Sequence, residues 1–251
     1  MIVVKHKSCK PENIQKEFPD AIIHNVTSKA TDEFVKFSPF YPHGGIPVPF
    51  SPGYTAYSVE SIWQGLKDYD SVGIDTNVFR NSTMSDLKRT TRKYGHIKGH
   101  RKGVRGTEHL DYLEARKAIY APCYKWILEN KLGYLVDKIR QESADRTVVL
   151  LDYNTNCDIN DQSSPLSHAG LIKAYIDGNY PECPEEFQST IPVHEKVAVN
   201  MDFAVGDRVS HPKFGNGTVI SLDSTKGRIA VQFDSEGIKI LALSIAKLEK
   251  E

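Results

Sequence analysis

Residues 147–161 read TVVLLDYNTNCDIND, an apolar and β-branched run that is followed by a loop of Asn and Asp. The run predicts a strand over 147–153, and similar runs predict strands at 2–5 and 21–26. Helical patterns lie between and after these strands, at 58–68, 110–128, 135–142 and 167–175, with Pro122 expected to kink or restart the second helix. Interspersed strands and helices predict an α+β N-terminal domain.

The composition is that of a globular chain that can bury a core. Of its 251 residues, 39% are hydrophobic and 25% charged, which excludes disordered, collagenous and coiled-coil proteins. No stretch of the sequence approaches the about 18 uninterrupted apolar residues that a membrane span needs. The charged residue Lys5 comes after only four residues, which argues against a secretory signal. The four Cys show no paired spacing and indicate reduced thiols, so we expect a cytoplasmic protein.

Charge is segregated along the chain. Its 32 basic and 32 acidic residues balance, but the segment 88–105, KRTTRKYGHIKGHRKGVR, holds eight Lys or Arg, two His and no acid. Its glycines predict a mobile loop. A basic loop on an otherwise acidic body predicts a phosphate contact, and a solvated, partly disordered excursion is the alternative.

The sequence pattern changes after a region in which Pro181, Pro184 and Pro192 lie among Glu and Ser. Beyond it, short alternating strands are separated by Gly turns, which predicts a small all-β barrel. We therefore expect a domain over 1–185, a linker over 186–203 and a small module over 204–251.

The segment 57–67, YSVESIWQGLK, is the best candidate for a functional site. With Ser58 as N-cap, Glu60, Trp63, Gln64 and Lys67 share one helix face. A core-facing stripe would be apolar, whereas this face offers an acid, an aromatic ring, an amide and an amine. An exposed face with a Glu60–Lys67 attraction is the alternative, but a large aromatic is seldom left in water between charges.

Several common motifs are absent from the sequence. It contains no P-loop, no Rossmann glycine turn and no G-x-S-x-G elbow. His96, His100 and His109 lack the close spacing and the neighbouring Cys that are typical of structural zinc. We therefore expect neither a metal nor a cofactor.

Three segments together resemble the NADAR family, the YbiA-like proteins associated with NAD and ADP-ribose. That family carries an F-S-N-F-type element, an S-E-x-x-x-Q-x-x-K helix and a later N-D-type loop. Here FSPF (37–40) has Pro39 in place of Asn, Ser58 is displaced by one residue before Glu60, Gln64 and Lys67, and NCD (156–158) has Cys157 inserted. The resemblance covers about residues 34–176.

The resemblance implies a YbiA-like fold and an N-glycosidase that removes ADP-ribose from guanine bases, as an antitoxin or a phage counter-defence against enzymes that ADP-ribosylate DNA. Glu60 would stabilise the oxocarbenium charge, Asp158 would support proton transfer, and Lys67 would form an imine with the opened sugar. ADP-ribosylated DNA or RNA would lie along 88–105. The substrate-binding candidates are Phe37, Phe40, Tyr41, Trp63, Gln64, Asn156 and Arg101.

Two other functions remain open. One is a non-catalytic adaptor that binds ADP-ribose, which the departures at Pro39 and in 156–161 favour. The other is a glycosidase of free ribosyl-base metabolites, against which the basic loop and the extra domain argue, because a small metabolite requires neither. The complete set of Glu60, Gln64 and Lys67 favours the nucleic-acid glycosidase.

The C-terminal stretch FAVGDRVSHPKFGNGTV (203–219), continued by GIKIL (237–241) and AKL (246–248), resembles the Tudor-like module at the end of UvrD/PcrA-type helicases. In those helicases the module binds RNA polymerase, and similar barrels bind nucleic acid or peptides. For residues 204–251 the resemblance therefore implies a tether to RNA polymerase or nucleic acid, and no chemistry.

Overall fold

A computed structural model describes residues 1–182, 203–223, 228–242 and 248–250. The chain divides into two compact units, Met1–Pro192 and Val193–Glu251. The linker predicted over 186–203 lies, except for Phe203, outside the described residues, so the domain boundaries stay a prediction. No helix in the described part of the chain is long and apolar enough to cross a membrane.

The N-terminal unit mixes strands and helices, as predicted. Its strands are β1 (Ile2–His6), β2 (Ile22–Asn25), β3 (Ile46–Pro47), β4 (Thr55–Ala56), β5 (Lys67–Tyr69), β6 (Ile97–Arg101), β7 (His109–Leu110) and β8 (Val148–Asp152). Its helices are α1 (Pro11–Glu17), α2 (Val59–Gly65), α3 (Thr91–Tyr94), α4 (Tyr112–Ala115), α5 (Ala121–Asn130), α6 (Gly133–Asp145) and α7 (His168–Ile176). Two 3₁₀ turns, Glu33–Phe37 and Thr76–Arg80, and a π-helical turn, Arg116–Tyr120, complete the set.

The strand predicted over 147–153 is the centre of a parallel sheet. Strand β8 pairs in parallel with β1 on one side and β2 on the other, so all three predicted strands are confirmed. Val148, Val149 and Leu150 are fully buried. A parallel strand covered on both faces needs such a continuous apolar run, because neither face meets water.

The helix predicted over 110–128 is interrupted, and Pro122 stands where the chain restarts. Helix α4, the π-helical turn and α5 follow one another without a break, and Pro122 occupies the first turn of α5. Proline donates no backbone hydrogen bond, and Pro122 stands where the hydrogen-bonding pattern changes from the π-helical turn to α5. Helices α6 and α7 also confirm their predictions, and Ser167 caps α7.

The prediction of a mobile loop over 88–105 is wrong, because the segment contains α3 and strand β6. Strand β6 pairs with β5 and β7 in a three-stranded antiparallel sheet. Gly99 has a φ of +149°, and a Cβ there would lie 2.6 Å from the Leu110 carbonyl oxygen. Gly99 therefore allows close pairing of the strands, whereas the sequence analysis had interpreted the glycines of this segment as a sign of a mobile loop.

The C-terminal unit confirms the prediction of an all-β module. Its strands are β9 (Arg208–His211), β10 (Gly215–Asp223), β11 (Arg228–Phe233), β12 (Gly237–Ala242) and β13 (Glu249–Lys250), in the order β12-β11-β10-β9-β13. All neighbours are antiparallel. The small core consists of Val209, Val219, Ile229, Val231 and Phe233, with Phe214 packed against it.

Candidate active site

A cavity of about 1070 Å³ lies in the N-terminal unit. Its walls come from α2 and β5, the segment 84–91, the π-helical turn, and the residues after β8 and before α7. Five of the ten predicted site residues line it: Glu60, Trp63, Gln64, Lys67 and Phe40. The segment 57–67 therefore forms a polar wall, and its exposed-face alternative does not hold.

Helix α2 begins with a reciprocal cap that fixes its first turn. The Ser58 hydroxyl accepts a hydrogen bond from the Ser61 amide, and the Ser58 amide donates to the Ser61 hydroxyl. The helix ends at Gly65, earlier than predicted, so Lys67 is the first residue of β5. The cavity nevertheless receives Lys67 beside the helical residues, because the strand continues directly from the helix.

Glu60 is held by Gln64, and Gln64 is held by the backbone of Arg89. The Arg89 amide donates to Gln64 Oε1 at 3.0 Å, and Gln64 Nε2 donates to Glu60 Oε1 at 2.7 Å. Since a backbone amide can only donate, the orientation of the Gln64 side chain is fixed. Burial raises the pKa of Glu60, against the Gln64 hydrogen bond and the charges of Lys67 and Lys88, which lower it. Glu60 is thus an acid that retains its proton more readily than usual.

The Lys67 amine has the opposite tendency. Burial lowers the pKa of Lys67, and the charges of Arg89 and Lys88 lower it further, while Glu60 opposes them. No side chain or carbonyl in the described ranges accepts a hydrogen bond from its Nζ atom, and no described carboxylate pairs with it. A half-buried amine that loses its proton readily has the property that a nucleophilic lysine requires.

Arg89 is a buried cation that sequence reasoning did not single out. It is 6% exposed and donates to the carbonyls of Gln64 at 3.2 Å, Lys67 at 2.7 Å and Gly73 at 2.7 Å. The last carbonyls of a helix lack partners within it, so the guanidinium caps α2 and joins it to β5. Among the described residues no carboxylate neutralises this charge, which therefore acts on Lys67.

Trp63 is supported from behind by a neutral imidazole. The Trp63 and His100 ring centroids are 3.8 Å apart, and His100 is 4% exposed. Burial, with a contribution from the Lys67 charge, lowers the pKa of His100 to about 3. The rings of Tyr112 and Tyr120 meet the indole edge-on at 5.9 and 5.7 Å. This aromatic cluster gives the cavity a wall on which a base can stack.

The π-helical turn brings Arg116 and Tyr120 to the cavity wall. Arg116 donates to the carbonyls of Asp161 at 2.6 Å and of Ser164, which fastens the loop after β8. The Tyr120 hydroxyl has no hydrogen-bond partner among the residues the structure describes. Burial and the charges of Glu60 and Asp152 raise the pKa of Tyr120 well above its usual value, so its phenol is a hydrogen-bond donor and a poor acid.

Asp152 and His168 form an ion pair on the opposite wall. Asp152 Oδ2 lies 3.0 Å from His168 Nδ1 and accepts from the Ser167 hydroxyl at 2.7 Å, while His168 Nε2 lies 2.8 Å from the Val26 carbonyl oxygen. Burial raises the pKa of Asp152, but the charge and hydrogen bonds of His168 and the bond from Ser167 lower it on balance. Because a carbonyl only accepts, Nε2 of His168 carries the N–H group that it donates to Val26.

Asp158, predicted as the supporting acid, does not line the cavity. It is exposed, and its Oδ1 accepts from the Asn160 amide at 2.9 Å. Asn156, predicted to bind substrate, donates to the Asp161 and Ser164 carbonyls at 2.8 and 3.1 Å. Both side chains close turns in the loop, as Asp and Asn in loops commonly do, and the aspartate of this stretch that lines the cavity is Asp152.

Phe37, Tyr41 and Arg101 also lie outside the cavity walls. Phe37 is fully buried in the core and cannot stack on a base. Tyr41 packs on His43 at 4.9 Å between ring centroids. Arg101 Nε donates to Asp68 Oδ2 at 2.9 Å, so the positive charge of Arg101 is already paired with a carboxylate. The local sequence pattern did not reveal that Phe37 belongs to the core or that Arg101 pairs with an acid 33 residues away.

These features define the class of the protein: a mixed α/β unit whose polar cavity holds an acid, an amide and an amine, followed by an antiparallel β module. The chain belongs to the family described as "Family of unknown function (DUF6939)", whose model matches residues 6–172. Residues 205–250 match the PcrA/UvrD tudor domain, which confirms the prediction for the C-terminal module. The family description gives no activity, so the resemblance to NADAR proteins and the YbiA-like fold stay predictions.

Two curated relatives share a short part of the chain. DNA helicase II of Haemophilus influenzae is 42% identical over 55 residues, which are 21% of this chain and 8% of that protein. DNA helicase II of Salmonella typhimurium is 36% identical over 85 residues, 29% of this chain and 12% of that protein. The matches thus span about a tenth of the length of these relatives.

Proposed function

We propose that the N-terminal unit is an N-glycosidase that removes ADP-ribose from guanine bases of nucleic acid. The observation that carries the proposal is the pair formed by Lys67 and Glu60 in one cavity: an amine that loses its proton readily and an acid that retains it. An enzyme that exchanges a base for its own nucleophile needs both, because the leaving base must gain a proton.

In the proposed reaction, uncharged Lys67 Nζ attacks the anomeric carbon while the bond from that carbon to the guanine nitrogen breaks. Glu60 gives its proton to the departing nitrogen and then, as a carboxylate, takes one from the new ammonium. Glu60 then gives this proton to the ring oxygen as the bond between that oxygen and the anomeric carbon breaks, which leaves a protonated imine between Nζ and the former anomeric carbon. Water adds to the imine, and cleavage of the carbon–nitrogen bond releases ADP-ribose and the free amine.

The charge of the cavity wall supports an anionic ligand. Besides the uncharged Lys67, the cations Lys88, Arg89 and Arg116 line the cavity with the acids Asp86 and Asp152, and Asp152 is already paired with His168. Protonation of Glu60 leaves a further excess of positive charge. A diphosphate suits such a wall, and the Trp63 cluster suits the adenine or guanine ring.

An ADP-ribose-binding adaptor without turnover is the second candidate, and one observation favours it. Asp158 is outside the cavity, and the Asp152 carboxylate accepts from His168, Ser167 and the amide of Tyr153. Besides Glu60, the described acid in the cavity lining that then remains to activate water is Asp86, which is exposed. The imine route answers this objection, because Glu60 can serve both proton transfers in turn.

For the C-terminal module we propose a tethering role. The PcrA/UvrD tudor match and the two DNA helicase relatives support a binding partner that takes part in nucleic-acid processing. This partner would be either nucleic acid itself or RNA polymerase. The proposed glycosidase would then act close to the enzymes that encounter a modified base during nucleic-acid processing, as expected of an antitoxin or anti-defence protein.

The test is incubation of the full chain with a guanine-ADP-ribosylated oligonucleotide, followed by mass analysis of the released sugar. The wild type should release ADP-ribose, Glu60→Gln should lose about 100-fold or more in rate, and borohydride should trap an adduct that is absent in Lys67→Ala. Tight ADP-ribose binding without release would establish the adaptor. An adduct that still forms in Lys67→Ala would remove the imine step.

A further inference from the structure

The basic side chains of the segment 88–105 have three different environments. Arg89 and His100 are buried. Others are ion-paired: Lys98 with Asp70 at 3.5 Å, Lys102 with Glu108 at 3.4 Å, and Arg101 with Asp68. Arg105, which follows β6, is exposed and forms no ion pair with a carboxylate among the described residues. Lys88, Arg92 and Lys93 are exposed as well, and none of them forms an ion pair with a carboxylate in the described part of the chain. We call these last three residues the mouth cluster.

The mouth cluster lies where the cavity meets the surface. Lys88, Thr90 and Thr91 line the cavity, although all three are exposed, and Arg92 and Lys93 follow directly in α3. Helix α3 is fixed in place because Tyr94 packs on Tyr69, at 5.4 Å between ring centroids. The positive charges are therefore held beside the opening instead of being spread over a loop.

Aromatic rings accompany these cations. Lys88 Nζ is 5.7 Å from the centroid of the Phe40 ring, and Phe40 lines the cavity while half-buried. Lys93 Nζ is 5.1 Å from the Tyr94 ring centroid. Single-stranded nucleic acids are bound by this combination, in which cations contact phosphates and neighbouring rings stack on bases.

We propose that the mouth cluster binds the phosphodiester backbone of a single-stranded segment that flanks the modified nucleotide, a proposal that rests on the proposed function. A base enters an enclosed cavity only after it has left the stack, so its neighbours emerge at the opening as single strand. Of the 32 Lys and Arg, only 24 lie outside 88–105, against 32 acids, so the rest of the chain repels the backbone. An acidic peptide would match the charge but would leave Phe40 without a stacking partner.

The experiment measures binding of a fluorescent, unmodified single-stranded oligonucleotide to the full chain by anisotropy over a range of salt concentrations. The test variant is Arg92→Ala/Lys93→Ala, which leaves the cavity lining intact. The matched control is Lys98→Ala/Lys102→Ala, which removes the same charge from the same segment at ion-paired positions. We expect the test variant to bind about tenfold more weakly than the wild type near 0.1 M salt. The slope of log K against the logarithm of the salt concentration should be smaller in magnitude by about 1.4, which corresponds to two lost phosphate contacts.

Equal binding by the test and control variants would overturn the proposal, as would displacement of the oligonucleotide by polyglutamate at equal charge concentration. Release of ADP-ribose from a modified mononucleotide separates this proposal from the proposed function. That release should be the same in the test variant and the wild type. If no variant releases ADP-ribose but the test variant still loses oligonucleotide binding, the glycosidase fails and the backbone site stands.

Discussion

Gln64 Nε2 donates to Glu60 Oε1 at 2.7 Å, and the orientation of this amide is fixed by the Arg89 backbone amide on its other side. A helical neighbour four residues away thus sets the proton affinity of the buried acid. The bond favours the carboxylate form, because an N–H donor is best matched by a negative oxygen. Gln64 is therefore a positioning residue whose effect should be visible in pH profiles.

Replacing Gln64 by Leu should raise the pKa of Glu60, since the hydrogen bond that lowers it is lost. The limb of the kcat/KM profile that Glu60 governs should move to higher pH, and Gln64→Glu should move it further through like-charge repulsion. Profiles for both variants on an ADP-ribosylated oligonucleotide measure the shift. An unmoved limb would show that Gln64 does not act through Glu60.

Glu60→Gln should stabilise the protein at neutral pH. Burial raises the folded-state pKa of Glu60, so ionisation favours the unfolded chain as pH rises above the ordinary value of 4.5. The stability gained by the variant over the wild type should therefore be larger at pH 7 than at pH 4. Urea unfolding at both values measures the difference, and a constant difference would contradict it.

Tyr120→Phe and Tyr124→Phe should have opposite consequences, although Tyr120 ends the π-helical turn and Tyr124 lies only one turn further on, in α5. The Tyr124 hydroxyl donates to the Phe37 carbonyl at 2.7 Å, so its loss should cost about 1 kcal/mol of unfolding free energy with little effect on turnover. Tyr120 lines the cavity, and its hydroxyl has no hydrogen-bond partner among the described residues, so we expect its loss to lower turnover about tenfold at nearly unchanged stability. Equal turnover in the two variants would exclude Tyr120 from the site.

Arg89→Met should raise the pKa of Lys67, because the guanidinium is a positive charge that lowers it. The pH at which the amine becomes nucleophilic should rise, and the acidic limb of the activity profile should move up with it. Arg89→Lys keeps the positive charge, so the acidic limb should lie closer to that of the wild type than in Arg89→Met. Circular dichroism of both variants controls for folding, and an identical acidic limb in all three proteins would refute the electrostatic role.

Local signals in the sequence predicted much of the fold. The run at 147–153 and the Ser58 cap need only their own neighbours, and both are present in the structure. The sheet of β5, β6 and β7 was not predicted, because the glycines and charges of 88–105 indicated a loop there and because Lys67 of β5 pairs with the distant His100 of β6. Lys67 was predicted to share a helix face with Glu60, whereas in the structure it begins strand β5 and lines the same cavity as Glu60.

The choice between two acids shows why the site was only partly predicted. Asp152 and Asp158 both follow the same apolar run, and the sequence interpretation selected the second. Asp158 satisfies the Asn160 amide, and Asn156 and Asp161 repeat that i to i+2 bond within the loop. Such repeated Asx turns are visible in the sequence as alternating Asn and Asp, and this pattern indicates a structural loop. Arg89 and His168 gave no comparable signal.

The wide turn at Arg116–Tyr120 carries one residue more than an α-helix would use there, because the Ala121 amide donates to the Arg116 carbonyl five positions back. Removing one residue from 116–120 would turn the preceding stretch by about 100° relative to α5. The packing of α5 on the core would survive, but Arg116 would release the loop that ends at Ser164. Length variation at this turn would therefore separate family members that keep only the scaffold from those that also keep the cavity wall.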